Sequence, residues 1–352
     1  MQVSGHLRFF IGTYTDAPSQ SQGIAQISLN PQTGELTLLD DFYPLRNPSY
    51  LKQTRQALYS FSEVAQQDGA QLVCMQRGIN HALPILGDYP CHLDVCENNQ
   101  YLAVANYGSG DVNVFALGDD GVPRELVTTL FEEGKGPNLD RQASPHAHQV
   151  VFQRTEKVLV SVDLGSDAIR FYHIEQNQFL LQQTLALTPG SGPRHLVFNR
   201  AEDKAYVVCE LSETLVVLTK TDTGWQVSQQ SDLIPNGEKG EAASAIKLSQ
   251  DERFIYVSCR QQNVLSCFDV SQPTAQWLGL TDCGGGFPRD FTISACGEWV
   301  VVANQHSNNL TSFRRDLKTG ALVATGYQCQ VGAAVWVMEQ NNVWEQKDNS
   351  TD

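Results

Sequence analysis

Residues 89–117 read YPCHLDVCENNQYLAVANYGSGDVNVFAL. A short apolar strand follows a Pro, a polar turn follows it, and a second strand, YLAVAN, ends in Asn106. Another polar turn leads to a third strand ending in Phe115. Runs this short, rich in β-formers and bounded by Asn and Gly, are strands rather than helical turns. The pattern then recurs. SPHAHQVVFQRTEKVLVSVDLGSDAIRFYHI starts at 144, GPRHLVFNRAEDKAYVVCELSETLVVLTK at 192, AASAIKLSQDERFIYVSCRQQNVLSCFDV at 242 and FPRDFTISACGEWVVVANQHSNNLTSFRRD at 287. NPSYLKQTRQALYSFSEV at 47 is a weaker copy. FFIGTYTDAPSQSQGIAQISL, near the start, carries only the later strands.

The end of the second strand anchors each copy: Thr13, Ser62, Asn106, Asp163, Glu210, Cys259 and Asn304. These lie 44 to 57 residues apart, the widest step being that from Asn106 to Asp163. Each step has room for four short strands joined by turns such as NPQTGEL (30–36) and DLKTGAL (316–322). Four-stranded units of this period are propeller blades. The expected fold is therefore all-β, a seven-bladed propeller of antiparallel blades in one domain, residues 1–340, with a polar tail at 341–352. The first copy lacks an opening strand and VGAAVWVME (331–339) is an extra one. That tail strand should enter the first blade and close the ring, which removes the free sheet edges.

Composition narrows the partners. The 352 residues carry a formal net charge of −15. Such a surface disfavours nucleic acid and anionic membrane. No apolar run reaches the roughly 20 residues that span a bilayer. Nine scattered cysteines without a C-x-x-C, and a start without a basic then apolar leader, predict reduced thiols in a cytoplasmic protein. A monomer or weak homo-oligomer is expected.

In an antiparallel blade the start of strand one lies beside the end of strand two, at one mouth of the central channel. Strand-one starts contribute His92, His146, His148, Arg194, His195 and Arg289, among others, and strand-two ends contribute Asn106, Asp163, Glu210 and Asn304. Four of the eight His gather there with two Arg, which suits an anionic small molecule. Each has a plainer reading. His146 and His148, two apart, would share one strand face and could serve as base and binder, as two metal ligands, or as inter-blade bonds. Arg194 and Glu210 could be a structural ion pair. Asn106, Asp163 and Asn304 could satisfy turn backbone. His195 should alternate into the core. Gly284-Gly285-Gly286 precedes no helix, so it reads as a loop before a blade rather than a phosphate cradle.

YPCHLDV, LAVANYGSGDVNVF, SPHAHQ, VDLGSD, GPRHLVFN, CELSETL, FPRDF and VVANQHSNNLTSF occur here in the order found in the seven-bladed propeller lactonases, and nearly the whole chain resembles that family. The family includes propeller-type 6-phosphogluconolactonase and carboxymuconate cyclase. The resemblance implies an enzyme that hydrolyses a sugar lactone, 6-phosphoglucono-δ-lactone first among candidates and hence in the pentose phosphate pathway, without cofactor or metal. It maps the family's site onto His146 or His148, Arg194 and Glu210 as catalytic residues and onto Arg289 for substrate. His92, Asn106, Asp163 and Asn304 complete the expected substrate-binding set. A neutral His would take the proton of the attacking water, Arg194 would stabilise the oxyanion, and Glu210 would orient them or protonate the leaving alkoxide. Three alternatives stand beside this reading. One is a divalent metal held by the H-x-H pair with Glu210 or Asp163. The others are a muconate-type cyclase and a propeller scaffold for partner proteins.

Overall fold

The structure, a computed structural model, describes residues 5–76, 79–98, 100–235 and 237–341. Seven four-stranded antiparallel sheets follow one another along the chain. Blade 1 joins Ala334–Glu339, Leu7–Thr13, Gly23–Leu29 and Leu36–Pro44, from channel to rim. Phe9 pairs with Glu339 and Ile11 with Val337, so the last strand closes the ring as the repeat predicts. The innermost strands of blades 2 to 7 are Leu51–Gln53, Pro90–Val95, Ala147–Phe152, Pro193–Phe198, Ala243–Leu248 and Pro288–Ile293. Their second strands are Leu58–Phe61, Tyr101–Asn106, Val158–Asp163, Lys204–Cys209, Phe254–Cys259 and Trp299–Asn304. Blade 2 has only three residues in its innermost strand, which explains the weak sequence match there. From residue 342 onward the expected polar tail lies outside the described residues.

Burial falls from the axis outward. Pro90–Val95 is buried along its length, whereas the outer strand Gln276–Asp282 alternates exposed and half-buried residues. The apolar clusters lie between blades. Phe9, Ile11 and Val337 of blade 1 pack on Trp299 and Val301 of blade 7, and Val160 and Phe171 of blade 4 pack on Val207 and Trp225 of blade 5. Polar latches cross other seams: Tyr59 Oη of blade 2 donates to the Gly121 carbonyl of blade 3 at 2.6 Å, and Tyr256 Oη of blade 6 to the Gly320 carbonyl of blade 7 at 2.6 Å.

Two irregularities shape the mouth. A left-handed residue opens five blades: Ala333, Tyr89, Gly192 and Phe287 directly before strand one, and Asn47 four residues before Leu51. Only one of the five is Gly, so the others hold a conformation disfavoured for side chains. Each of these residues accepts a hydrogen bond from the backbone N–H just beyond strand two; Glu210 N to Gly192 O, at 2.7 Å, is one. Strand one also slips register at its first residues, between Pro90 and His92, Ala147 and Gln149, Pro193 and His195, Ala243 and Ile246, and Pro288 and Asp290. A bulge leaves one residue out of the ladder and re-aims its side chain. The bulged residues include Cys91, His148, Arg194, Ser244 and Arg289.

Candidate active site

The bulges explain which side chains enter the channel. In a regular strand Arg194 and His195 would face opposite ways. With Arg194 bulged, both line one tight pocket of about 20 Å³ together with His148, Arg289 and Glu63. His195 is thus a channel residue, not the core histidine expected from alternation. The corresponding slip in blade 4, between Ala147 and Gln149, breaks the shared face expected for His146 and His148. His146 precedes the strand and stacks on Tyr107, with ring centroids 4.6 Å apart. His148 is buried on the channel, edge-on to Tyr107 at 5.4 Å.

Glu210 is the electrostatic centre. Its Oε2 lies 3.0 Å from Arg194 Nε and 3.0 Å from Arg260 Nη2, and its Oε1 is 2.7 Å from Arg141 Nη2. The Arg194 contact is an ion pair too far off line to be a hydrogen bond. Burial works to raise the Glu210 carboxyl, but Arg260 and Arg194 overcome it and hold the group far below the usual carboxylate range. Burial, with Arg260 beside it, pulls Arg194 down to about 10, still charged at neutral pH. A second buried group sits opposite. Tyr14 Oη donates to Glu63 Oε1 at 2.9 Å and accepts from Arg289 Nη2 at 2.7 Å. Burial pushes Glu63 up, against the pull of Arg289.

Three of the mouth histidines, His92, His148 and His195, are held neutral. Burial, then the charge of Arg194, drives both His148 and His195 well below the ordinary imidazole range. Burial, then Lys52 and Lys247, does the same to His92. His148, His195 and His92 form a ladder along the axis, with centroid spacings of 5.2 and 5.3 Å. It ends on Tyr50 and Trp336, tilted against each other with ring centroids 3.9 Å apart. His146 Nδ1 lies 2.7 Å from the Tyr107 carbonyl, so that nitrogen is the donor.

The remaining expected residues lie within the blades. Asn106 Nδ2 donates to Asp111 Oδ1 at 2.7 Å, and Asn304 Nδ2 to Thr311 Oγ1 at 3.2 Å. Asp163 Oδ1 accepts the backbone N–H groups of His146 (2.7 Å) and Gly165 (2.9 Å), and its Oδ2 meets Arg170 at 2.9 Å. It organises the loop that carries His146. Among the described residues no three His, Cys, Asp or Glu side chains converge as a metal site.

Sequence reading missed Arg260, Arg141, Tyr14, Glu63 and Tyr107. Six of the seven anchors occupy the same position by hydrogen bonding, and Glu210 sits one residue beyond it. Moving the other six forward by one yields Tyr14, Glu63, Tyr107, Leu164, Arg260 and Gln305, four of which reach the mouth groups. Arg141 had no such signal, because it stands in the long step before Asp163. A wider groove of about 430 Å³, lined by Cys96, Tyr101, Arg154 and Lys157 among others, opens between blades 3 and 4 at the other end of the strands. Exposed turns of both charges line it.

A seven-bladed ring whose mouth sets four arginines against the carboxylates of Glu210, Glu63 and Asp290 is a small-molecule site, and the class it defines is an enzyme acting on a small polar substrate. The family model for the seven-bladed β-propeller lactonases matches residues 8–339. The chain belongs to that lactonase family, and it is a lactone hydrolase. It is 32% identical over 329 residues to the 6-phosphogluconolactonase of Bacillus subtilis, covering 89% of this chain and 92% of that protein. Among solved structures, a protein from Lactobacillus plantarum is 31% identical with a TM-score of 0.88, covering 96% of this chain and 100% of that one. The periplasmic gluconolactonase of Pseudomonas aeruginosa is 28% identical with a TM-score of 0.88, covering 96% and 99%.

Proposed function

We propose that the chain hydrolyses 6-phosphoglucono-δ-lactone to 6-phosphogluconate, as a cytoplasmic enzyme of the pentose phosphate pathway. The observation that carries this reading is the excess of arginine over carboxylate at the mouth of a chain with net charge −15. The likeness to the Bacillus enzyme supports it. Nine unpaired cysteines, most of them buried, suit a reducing compartment.

In the proposed mechanism His148, neutral and lining the pocket, takes a proton from water as its oxygen adds to the lactone carbonyl. Arg194 stabilises the oxyanion. When the intermediate collapses, the ring C–O bond breaks and the leaving alkoxide takes the proton back from His148. Glu210 is ionised under its three arginines, so it positions Arg194 and Arg260 rather than donating a proton. Arg289 is committed to Tyr14 and shapes the opposite wall. Each turnover consumes one water and yields one hydroxy acid.

A second reading, a lactonase for unphosphorylated aldonolactones, is favoured by the likeness to the Pseudomonas gluconolactonase. The test is a panel of phosphorylated and unphosphorylated lactones, followed by acid release, with wild type, Arg194→Ala and Glu210→Gln. Arg194→Ala should lose roughly 10²–10³ in kcat, in line with loss of one oxyanion donor. Variants as fast as wild type would remove both residues from the reaction.

A further inference from the structure

Three of the four mouth arginines are committed and shielded. Arg194 and Arg260 share Glu210 Oε2, and Arg289 is bound to Tyr14. The Arg194 and Arg260 side chains are only 4% and 9% exposed. Arg141 differs on each count. Its side chain is 38% exposed, and both of its polar contacts, Glu210 Oε1 at 2.7 Å and Tyr107 Oη at 3.4 Å, use the single nitrogen Nη2. Its other guanidinium nitrogens have no polar partner among the described residues. The carboxylate it touches is already neutralised by two other guanidinium groups, so Arg141 supplies surplus positive charge at the outer edge.

The loop presenting it is stapled in place. Gln142, next in sequence and fully buried, donates through Nε2 to Leu164 O at 2.9 Å and to Asp167 Oδ1 at 2.8 Å. Gln142 N and Arg141 N both bond to Asn138 O, and Gly136 N bonds to Gln142 O. Further along, Arg170 Nη2 holds the Glu133 carbonyl at 2.5 Å. Asp167 in turn receives the N–H groups of Gly190 and Gly192, which fixes this loop to the opening of blade 5, where Arg194 stands. A long side chain on a rigid base loses less freedom on binding than one on a mobile loop.

We propose that Arg141 is the specificity residue for the substrate's anionic substituent: it binds the phosphate at the rim while the lactone carbonyl lies at Arg194. This rests on the lactonase reading and moves the phosphate contact away from Arg289. A guanidinium offers the paired N–H groups that a phosphate accepts.

The experiment compares kcat/KM for 6-phosphoglucono-δ-lactone and glucono-δ-lactone in wild type, Arg141→Gln, Arg141→Lys and Arg154→Gln. Arg154 is an exposed arginine at the far end of the strands and controls for the change in net charge. The phosphorylated-over-unphosphorylated ratio should fall roughly 10–100-fold in Arg141→Gln, the loss expected for charge-assisted hydrogen bonds. It should fall less in Arg141→Lys and stay unchanged in Arg154→Gln. If both rates fall in proportion, Arg141 merely steadies Glu210 and the proposal is overturned; an unchanged ratio overturns it equally. Calorimetric binding of 6-phosphogluconate and gluconate separates this from failure of the lactonase reading. A wild type inactive on every lactone, yet preferring the phosphorylated acid through Arg141, would sink the reading and keep the proposal. The same preference in wild type and Arg141→Gln would sink the proposal alone.

Discussion

A buried imidazole surrounded by guanidinium groups resists protonation, and this gives His148 a pH signature. Its range is depressed, so the neutral form that can accept a proton persists as pH falls through 6.5. The acidic limb of kcat/KM should therefore lie well below pH 6.5. A pH–rate profile turning down at 6.5 or above would remove His148 as the base. Glu132 has the opposite shift. It shares the Arg170 guanidinium with Asp163, at 3.0 and 2.9 Å, which leaves one buried negative charge in excess. Burial, then the charge of Asp163, pushes Glu132 up to about 8. The folded state thus holds a proton that the unfolded state gives up near pH 4.5, and stability falls as pH rises from that value toward 8. Glu132→Gln should flatten this slope, worth on the order of 1–4 kcal/mol between pH 5 and 8.5. Urea unfolding at the two pH values checks it; an unchanged slope would mean that Glu132 is ionised in the fold.

At the scale of the element, the mouth depends on bulges and turns more than on strands. Asp163 ties His146 and Gly165 together by their N–H groups. Removing it should release the loop without touching the channel arginines. Asp163→Ala should lower kcat/KM at least 10-fold and destabilise the fold by about 2–4 kcal/mol, since Arg170 loses a buried partner. Activity equal to wild type would show that His146 needs no fixed loop. Gly165→Ala probes the same corner, because a Cβ there would meet Ser144 O at 2.0 Å. The sequence made the blades legible through their strand endings, but it hid the bulges. Alternation put His195 in the core and His146 beside His148 on one face, and a register slip undid both. A bulge depends on how two strands pair, and a strand read alone does not reveal it. Glu210 and Arg194 were legible because the repeat marks their place. Arg260 stood one residue past its anchor, and Arg141 stood where the repeat has no counterpart.

For the whole molecule, closure is the decisive contact. Every blade packs on two neighbours, so an open first blade exposes the Leu7–Thr13 edge together with its face toward blade 7. Deleting residues 330 onward should abolish cooperative unfolding; a truncated protein with unchanged melting would refute the role of the closing strand. Val337→Pro is a milder test. Val337 N donates to Asp290 Oδ2 of blade 7 at 3.1 Å from the innermost strand of blade 1, so the change should destabilise by about 3 kcal/mol or more. The mouth should feel it as well, because Val335 and Trp336 of the same strand line the pocket.

Ring closure also fixes an order of events at the ribosome. Leu7–Thr13 is made about 320 residues before Ala334–Glu339. At about 5–20 residues per second, on the order of 20–60 s separates the two. Throughout that interval Phe9, Phe10 and Ile11 sit on an edge shaped for the Ala334–Glu339 strand and still without it. A nascent chain stalled late in synthesis therefore offers this edge to the matching strand of any finished neighbour, and crowded polysomes are where such an exchange would begin.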